Sequence, residues 1–189
     1  MGLANWLTVL RILLIPVFVS LLVYRKPGPA LVVFVAAALT DLLDGYVARR
    51  QGLSSRLGAF LDPMADKLLL VSSFVTLTWL KALPFWIAAV VISRDLILMV
   101  GALVIHMAGG RIYPRPTRAG KIATFFQVLT VLAGLATRFV HVGGALSAVM
   151  WLAAAFTIIS GLQYIVQGMR FLNAVHDEPR TPDETTLYR

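Results

Sequence analysis

The chain has 189 residues, 59% of them hydrophobic and 14% charged, with a formal net charge of +8 and a mean hydropathy of +0.82. That balance excludes an ordinary water-soluble domain and indicates an integral membrane protein. The absence of cysteine removes disulfides and thiolate metal sites, and basic residues that flank apolar stretches, without interleaved aromatics, argue against nucleic acid as a partner.

A membrane-crossing helix needs about 20 mostly apolar residues, and the sequence predicts six of them, at 7–24, 29–48, 57–80, 84–107, 119–138 and 143–169. The expected fold is all-α: one domain of six transmembrane helices over residues 1–170, then a polar, mobile cytoplasmic tail over 171–189. The first stretch begins GLANWLTVLRILLIP, with Arg11 inside an apolar run and Asn5, Trp6 and Thr8 giving an amphipathic start. Its first two turns are expected in the cytoplasmic interface, with Pro16 marking a bend. No small-residue cleavage site follows it, so it reads as a retained span.

The second span runs into the third through TDLLDGYVARRQGLSSRLGAFLDPMADK, residues 40–67. The fourth contains ISRDLIL, with Arg94 and Asp95 inside it, and leads into the basic stretch GGRIYPRPTRAGK. The sixth offers Gly, Ala and Ser for close helix packing. Counting Lys and Arg by loop parity places Arg11, Arg49, Arg50, Arg56, Arg111, Arg115, Arg118, Lys121, Arg170, Arg180 and Arg189 on the side of the termini. Arg25, Lys26, Lys81 and Arg138 fall on the other side, so both termini are expected in the cytoplasm.

Five acidic residues lie outside the tail, and four of them, Asp41, Asp44, Asp62 and Asp66, fall within one window of 26 residues. A carboxylate near hydrocarbon costs at least about 2.5–3.5 kcal/mol, so the cluster needs compensation. Asp41 and Asp44 are spaced i,i+3 and Asp62 and Asp66 i,i+4, which puts each pair on one helix face. If the two helix ends are neighbours, four carboxylates converge at one depth. Divalent cations remove the mutual repulsion, and an all-oxygen donor set favours Mg2+ or Mn2+ in a two-metal site. Blander readings exist for single residues: Asp62 before Pro63 suits a helix N-cap, and Asp41 or Asp44 can pair with Arg49 or Arg50. Adjacent Asp66 and Lys67 face apart on a helix. Small residues at Gly45, Ala48, Gly52 and Gly58 allow a bulky group close to the backbone, and Arg49, Arg50 and Arg56 suit phosphate oxygens. Together these features indicate a pyrophosphate ligand.

As a pattern, Asp41, Asp44, Gly45, Ala48, Arg49, Gly58, Asp62 and Asp66 fill DxxDGxxAR, eight residues, then GxxxDxxxD. This resembles the signature of the CDP-alcohol phosphotransferase family at all eight defining positions. Outside the signature the likeness extends loosely over about residues 3–170, most to the bacterial phosphatidylglycerophosphate synthase branch and next to the single-chain cardiolipin synthase branch. The resemblance implies metal-dependent transfer of a phosphatidyl group from CDP-diacylglycerol to an alcohol, with release of CMP, by a homodimer in the bacterial inner membrane. It further implies that Asp41, Asp44, Asp62 and Asp66 hold the metals and that Asp66 also takes the proton of the attacking hydroxyl. Asn5, Thr8, Gly45, Ala48, Arg49, Ser55 and Gly58 would then line the CDP-lipid site.

The acceptor is expected to be anionic. Arg94, Arg111, Arg115, Arg118 and Lys121 are candidates for binding its phosphate, while a topology signal explains the basic loop equally well. Arg94 and Asp95 could instead form a local network. Glycerol 3-phosphate is the leading acceptor, ahead of phosphatidylglycerol, inositol phosphate and serine. The chain departs from the phosphatidylglycerophosphate branch at Asp95, where Glu is usual, and at Ala123, where a second lysine is usual. A divalent-cation transporter is the competing class, since intramembrane carboxylates also mark ion pathways. Transport would spread acids through the membrane depth and show repeat symmetry, and neither pattern is present.

Overall fold

Where no water reaches the backbone, every N–H and C=O must be paired within the segment, so long apolar stretches become helices. The computed structural model describes the backbone of residues 3–51, 56–107, 117–140 and 143–176, and the side chains of 9–40, 65–103, 117–140 and 144–169. Among the described residues there are six helices: α1 (Leu3–Val23), α2 (Pro27–Gln51), α3 (Arg56–Trp79), α4 (Phe85–Met107), α5 (Arg118–Ala136) and α6 (Gly143–His176). Phe85–Leu103, Arg118–Ala136 and Gly144–Met169 are long and apolar enough to cross a membrane, and shorter apolar stretches occupy Val9–Val23 and Pro27–Thr40. Large apolar side chains such as Leu13, Val32, Met99, Phe125 and Leu162 lie on the outer surface, as lipid contact requires and water does not favour. The chain is a helical membrane protein.

Two helix bounds differ from the sequence expectation. Helix α1 begins at Leu3, ahead of the expected span, and carries Pro16 within it. The proline ring removes one hydrogen bond, to Ile12, and the helix continues on both sides. Helix α6 continues to His176, because Phe171, Leu172, Ala174 and Val175 extend the apolar pattern and no proline intervenes before Pro179.

Helix α1 packs on α2 and α3, α3 also on α4 and α5, and α6 on α4 and most extensively on α5. Phe18, Phe34, Phe74, Ile87, Val131 and Leu135 fill the shared core. Polar side chains inside the bundle satisfy themselves locally or across helices: Ser73 donates to Leu69 O at 2.6 Å, and Gln127 Nε2 donates to Thr157 Oγ1 at 3.0 Å between α5 and α6.

The α1–α2 and α3–α4 connections are tight and alike. Lys26 N bonds Leu21 O at 2.8 Å and Arg25 N bonds Leu22 O at 3.0 Å; Ala82 N bonds Leu77 O at 2.9 Å and Lys81 N bonds Thr78 O at 3.0 Å. These paired bonds close each helix with a left-handed residue after its last turn, and Arg25 and Lys81 occupy it, each with φ 56°. Leu22, Leu77, Arg25 and Lys81 line one cavity, so α1 and α3 end at the same level and run parallel. Helix α2, returning from the α1 turn, is antiparallel to both.

Candidate active site

The parallel run of α1 and α3 brings Arg11 to Asp66. Eleven residues separate Arg11 from Leu22, and eleven separate Asp66 from Leu77, so both pairs meet at matched depth. Arg11 Nη1 stands 2.5 Å from Asp66 Oδ1; the arginine side chain is fully buried while that of Asp66 retains 38% of its exposure. A guanidinium in apolar surroundings requires such a partner. The partial exposure leaves Asp66 reachable from outside the bundle.

Helical geometry turns the next residue elsewhere, and Lys67 does face away from Asp66, reaching α4 with Nζ 2.5 Å from Asp95 Oδ1. The same oxygen accepts from Arg94 Nη1 at 2.7 Å, and Arg94 Nη2 donates to Ser160 Oγ on α6 at 3.0 Å. The local network anticipated for Arg94 and Asp95 is therefore present, and it also includes Lys67 and Ser160. Arg94 and Asp95 are both nearly buried. One carboxylate oxygen thus receives two basic side chains. Arg94 Nε and Asp95 Oδ2 are buried without hydrogen-bond partners among the described residues.

Arg94 also meets the beginning of α5. Thr117 caps that helix, its hydroxyl accepting from Gly120 N at 3.1 Å. A Cβ on Gly120 would stand 3.2 Å from Arg94 Nη2, Ser160 Oγ and Thr117 Oγ1 alike, so the missing side chain lets a guanidinium and two hydroxyls close on the backbone. Arg118 and Lys121, both exposed, occupy the same first turn of α5. Of the expected acceptor-phosphate residues, Arg94, Arg118 and Lys121 are thus gathered around one helix end, while Arg111 and Arg115 lie outside the described residues.

The remaining expected site residues divide by location. Asp41, Asp44, Gly45, Ala48 and Arg49 are in α2, Asp62 and Gly58 in α3, and Asn5 and Thr8 in α1, with side chains outside the described residues, as is all of Ser55. Only residues 52–55 join α2 to α3, which keeps the two helix ends within about 18 Å. At 1.5 Å per residue, Asp44 and Asp41 lie about 10 and 15 Å along α2 from its end, and Asp62 and Asp66 about 9 and 15 Å along α3 from its start. Among the described residues no group of three His, Cys, Asp or Glu could hold a metal ion; three of the four aspartates fall outside that set.

Sequence reasoning missed Arg11, Lys67 and Ser160 as members of this region. Arg11 was expected only as a topology charge near the interface, and the structure shows it as a fully buried partner of Asp66. Its signal was available: a lone cation in an apolar run of a chain with few acids must find one of them.

A family model described as CDP-alcohol phosphatidyltransferase matches residues 1–159. A probable phosphatidylglycerophosphate synthase of Mycobacterium tuberculosis (strain ATCC 25618 / H37Rv) is 33% identical over 183 residues, covering 92% of this chain and 85% of the relative. The CDP-diacylglycerol–glycerol-3-phosphate 3-phosphatidyltransferase of Escherichia coli (strain K12) is 38% identical over 169 residues, covering 84% and 90%. That of Bacillus subtilis (strain 168) is 32% identical over 182 residues, covering 86% and 93%.

Proposed function

The chain belongs to the CDP-alcohol phosphatidyltransferase family, and on that premise we propose that it transfers a phosphatidyl group from CDP-diacylglycerol to glycerol 3-phosphate. The acceptor oxygen forms a bond to the phosphorus carrying the diacylglycerol, the bond from that phosphorus to CMP breaks, and the hydroxyl proton passes to Asp66. The products are phosphatidylglycerophosphate and CMP.

Asp41, Asp44, Asp62 and Asp66 would hold Mg2+ or Mn2+. Their all-carboxylate donor set, on two helices joined by residues 52–55, fits those ions, which would supply positive charge to the pyrophosphate when bound. Asp66 is the base of choice because its side chain is partly exposed while Arg11 fixes it from α1. Arg49, with Gly45, Ala48, Ser55 and Gly58, would receive the nucleotide end, and Asn5 and Thr8 would close that site from α1. The diacyl chains stay in lipid alongside the helices. Six spans with both termini cytoplasmic, assembled as a homodimer, complete this reading.

The acceptor assignment is carried by Arg94. It is buried at the first turn of α5 with one arm on Ser160, and Arg118 and Lys121 begin the same helix. Such a site suits a second phosphate that is small enough to enter beside the pyrophosphate.

The test is CMP release by the purified protein given CDP-diacylglycerol, Mg2+ and one acceptor at a time: glycerol 3-phosphate, phosphatidylglycerol, inositol phosphate or serine. Release with glycerol 3-phosphate, abolished by chelation and restored by Mg2+ or Mn2+, is the expected result. Release only with phosphatidylglycerol would reassign the acceptor. Silence with every acceptor would overturn the reading.

A further inference from the structure

The end of the bundle remote from Asp66 carries a charge pattern that the reaction does not use. Three helix connections meet there around a cavity of about 610 Å3, into which Arg25, Lys81 and Arg138 bring positive charge. That volume lies within the range of about 300–1,000 Å3 usual for small-molecule sites. No Asp or Glu precedes Asp41, and none occurs over residues 67–94 or 96–176, so no acidic side chain of these connections balances the three cations. The floor is apolar, formed by the buried side chains of Leu22, Leu77 and Leu135. Trp79 stands at the edge with 81% of its surface exposed, in the manner of an aromatic anchored at a membrane interface.

Each cation taken singly is explained by the negative end of a helix dipole. The dipoles do not explain why three of them open onto one cavity, nor the residue choice at two positions. Arg25 and Lys81 both sit at φ 56°, a conformation that glycine adopts freely and that side chains resist. Glycine is the usual occupant of that position after a helix. Arg138 is oriented by its own contact, Nη2 donating to Leu80 O at 3.1 Å, which ties the α5 end to the α3 end across the cavity.

We propose that this cavity binds the phosphate of an anionic phospholipid head, taken from the leaflet opposite the reaction, with the first carbons of the acyl chains leaving over its apolar floor. The proposal rests on the reading above in which α1, α3 and α5 cross the bilayer. A divalent cation would be repelled, and a zwitterionic head would bring its own cation against three others.

The test is thermal unfolding of the whole purified protein in neutral detergent, titrated with dioctanoyl phosphatidylglycerol, with dioctanoyl phosphatidylcholine and inorganic phosphate as parallel arms. The expected result is a saturable rise in the unfolding midpoint with the anionic lipid alone. Its apparent affinity should weaken about fivefold, roughly 1 kcal/mol, for each cation removed in Arg25→Gln, Lys81→Gln and Arg138→Gln, while CMP release stays at the wild-type rate. Unchanged affinity in all three variants would overturn the proposal and leave the cations as caps of helix dipoles. An equal response to inorganic phosphate would overturn the lipid source in favour of a soluble anion. If Arg138→Gln fails to fold, Arg25→Gly and Lys81→Gly carry the test, because they remove charge and backbone strain together: the midpoint without lipid should rise as the lipid response falls. A protein that releases no CMP but keeps the charge-dependent lipid response would lose the proposed reaction and retain this site.

Discussion

Arg11 and Asp66, 55 residues apart in sequence, meet at 2.5 Å across the α1–α3 interface. The arginine is sealed inside the bundle and the aspartate is partly open, so the contact fixes one carboxylate oxygen without closing off the residue. Asp66→Asn is therefore expected to slow turnover by about 10²–10⁴-fold, the range for loss of a general base, while CDP-diacylglycerol affinity changes less than about threefold. Single-turnover CMP release beside equilibrium binding reads both. An equal loss of binding would restrict Asp66 to holding metal.

The same pair can be broken from the other side. Arg11→Gln removes a buried guanidinium and leaves a carboxylate that still reaches solvent, so the cost should be about 1–3 kcal/mol, below that of a fully buried pair. The check is the unfolding midpoint together with kcat, and Arg11→Lys should recover stability in part. A variant as stable and active as the parent would show that the contact positions nothing.

Asp95 holds two cations on one oxygen, and that asymmetry is measurable. Asp95→Asn leaves Arg94 buried and Lys67 without its partner, which should destabilise by about 3–5 kcal/mol. Lys67→Met removes a cation whose side chain is 39% exposed and should cost clearly less, of the order of 1 kcal/mol. Chemical unfolding in mixed micelles compares the two. Equal costs would mean that the network is not organised around Asp95.

Gly120 and Ser160 give a probe of the acceptor region that leaves every charge in place. Gly120→Ala inserts a carbon 3.2 Å from three polar atoms and should displace Arg94, raising the KM for glycerol 3-phosphate about tenfold. Ser160→Ala removes one hydrogen bond to the guanidinium and should raise it about fivefold, roughly 1 kcal/mol. The KM for CDP-diacylglycerol should stay within a factor of two in both. A selective change in the donor KM would move Arg94 to the donor site.

Arg118 tests the exposed part of the same helix end. Arg118→Ala should raise the acceptor KM with little change for the donor, and the effect should shrink as salt is added, because a solvent-exposed charge is screened. Steady-state kinetics at two ionic strengths decides the matter; a salt-independent loss would contradict a long-range electrostatic role.

The helices were legible because their signal is local. Apolar stretches at 29–48 and 57–80 correspond to Pro27–Gln51 and Arg56–Trp79, the differences being polar ends that hydrophobicity does not register. Spacing also assigned faces correctly where only one helix mattered, as in Lys67 turning from Asp66. It was a poor guide for Arg94 and Asp95, adjacent residues that bond at 2.7 Å because a guanidinium is long enough to fold back along its own helix. Contacts between helices were not legible. Nothing at positions 11, 67 or 160 names its partner, since the parallel register of α1 and α3 and the approach of α6 to α4 are properties of packing. Gly120 belongs with these: as one small residue at a helix start it looks like a cap, and its use emerges only when Arg94 arrives from α4.

The distance between Arg11 and Asp66 along the chain also has a meaning for biogenesis. During synthesis Arg11 emerges 55 residues before Asp66, so α1 is made well before the helix that carries this partner. The Arg11–Asp66 contact forms only once α3 has been delivered beside α1, so the final depth of α1 is coupled to the arrival of α3.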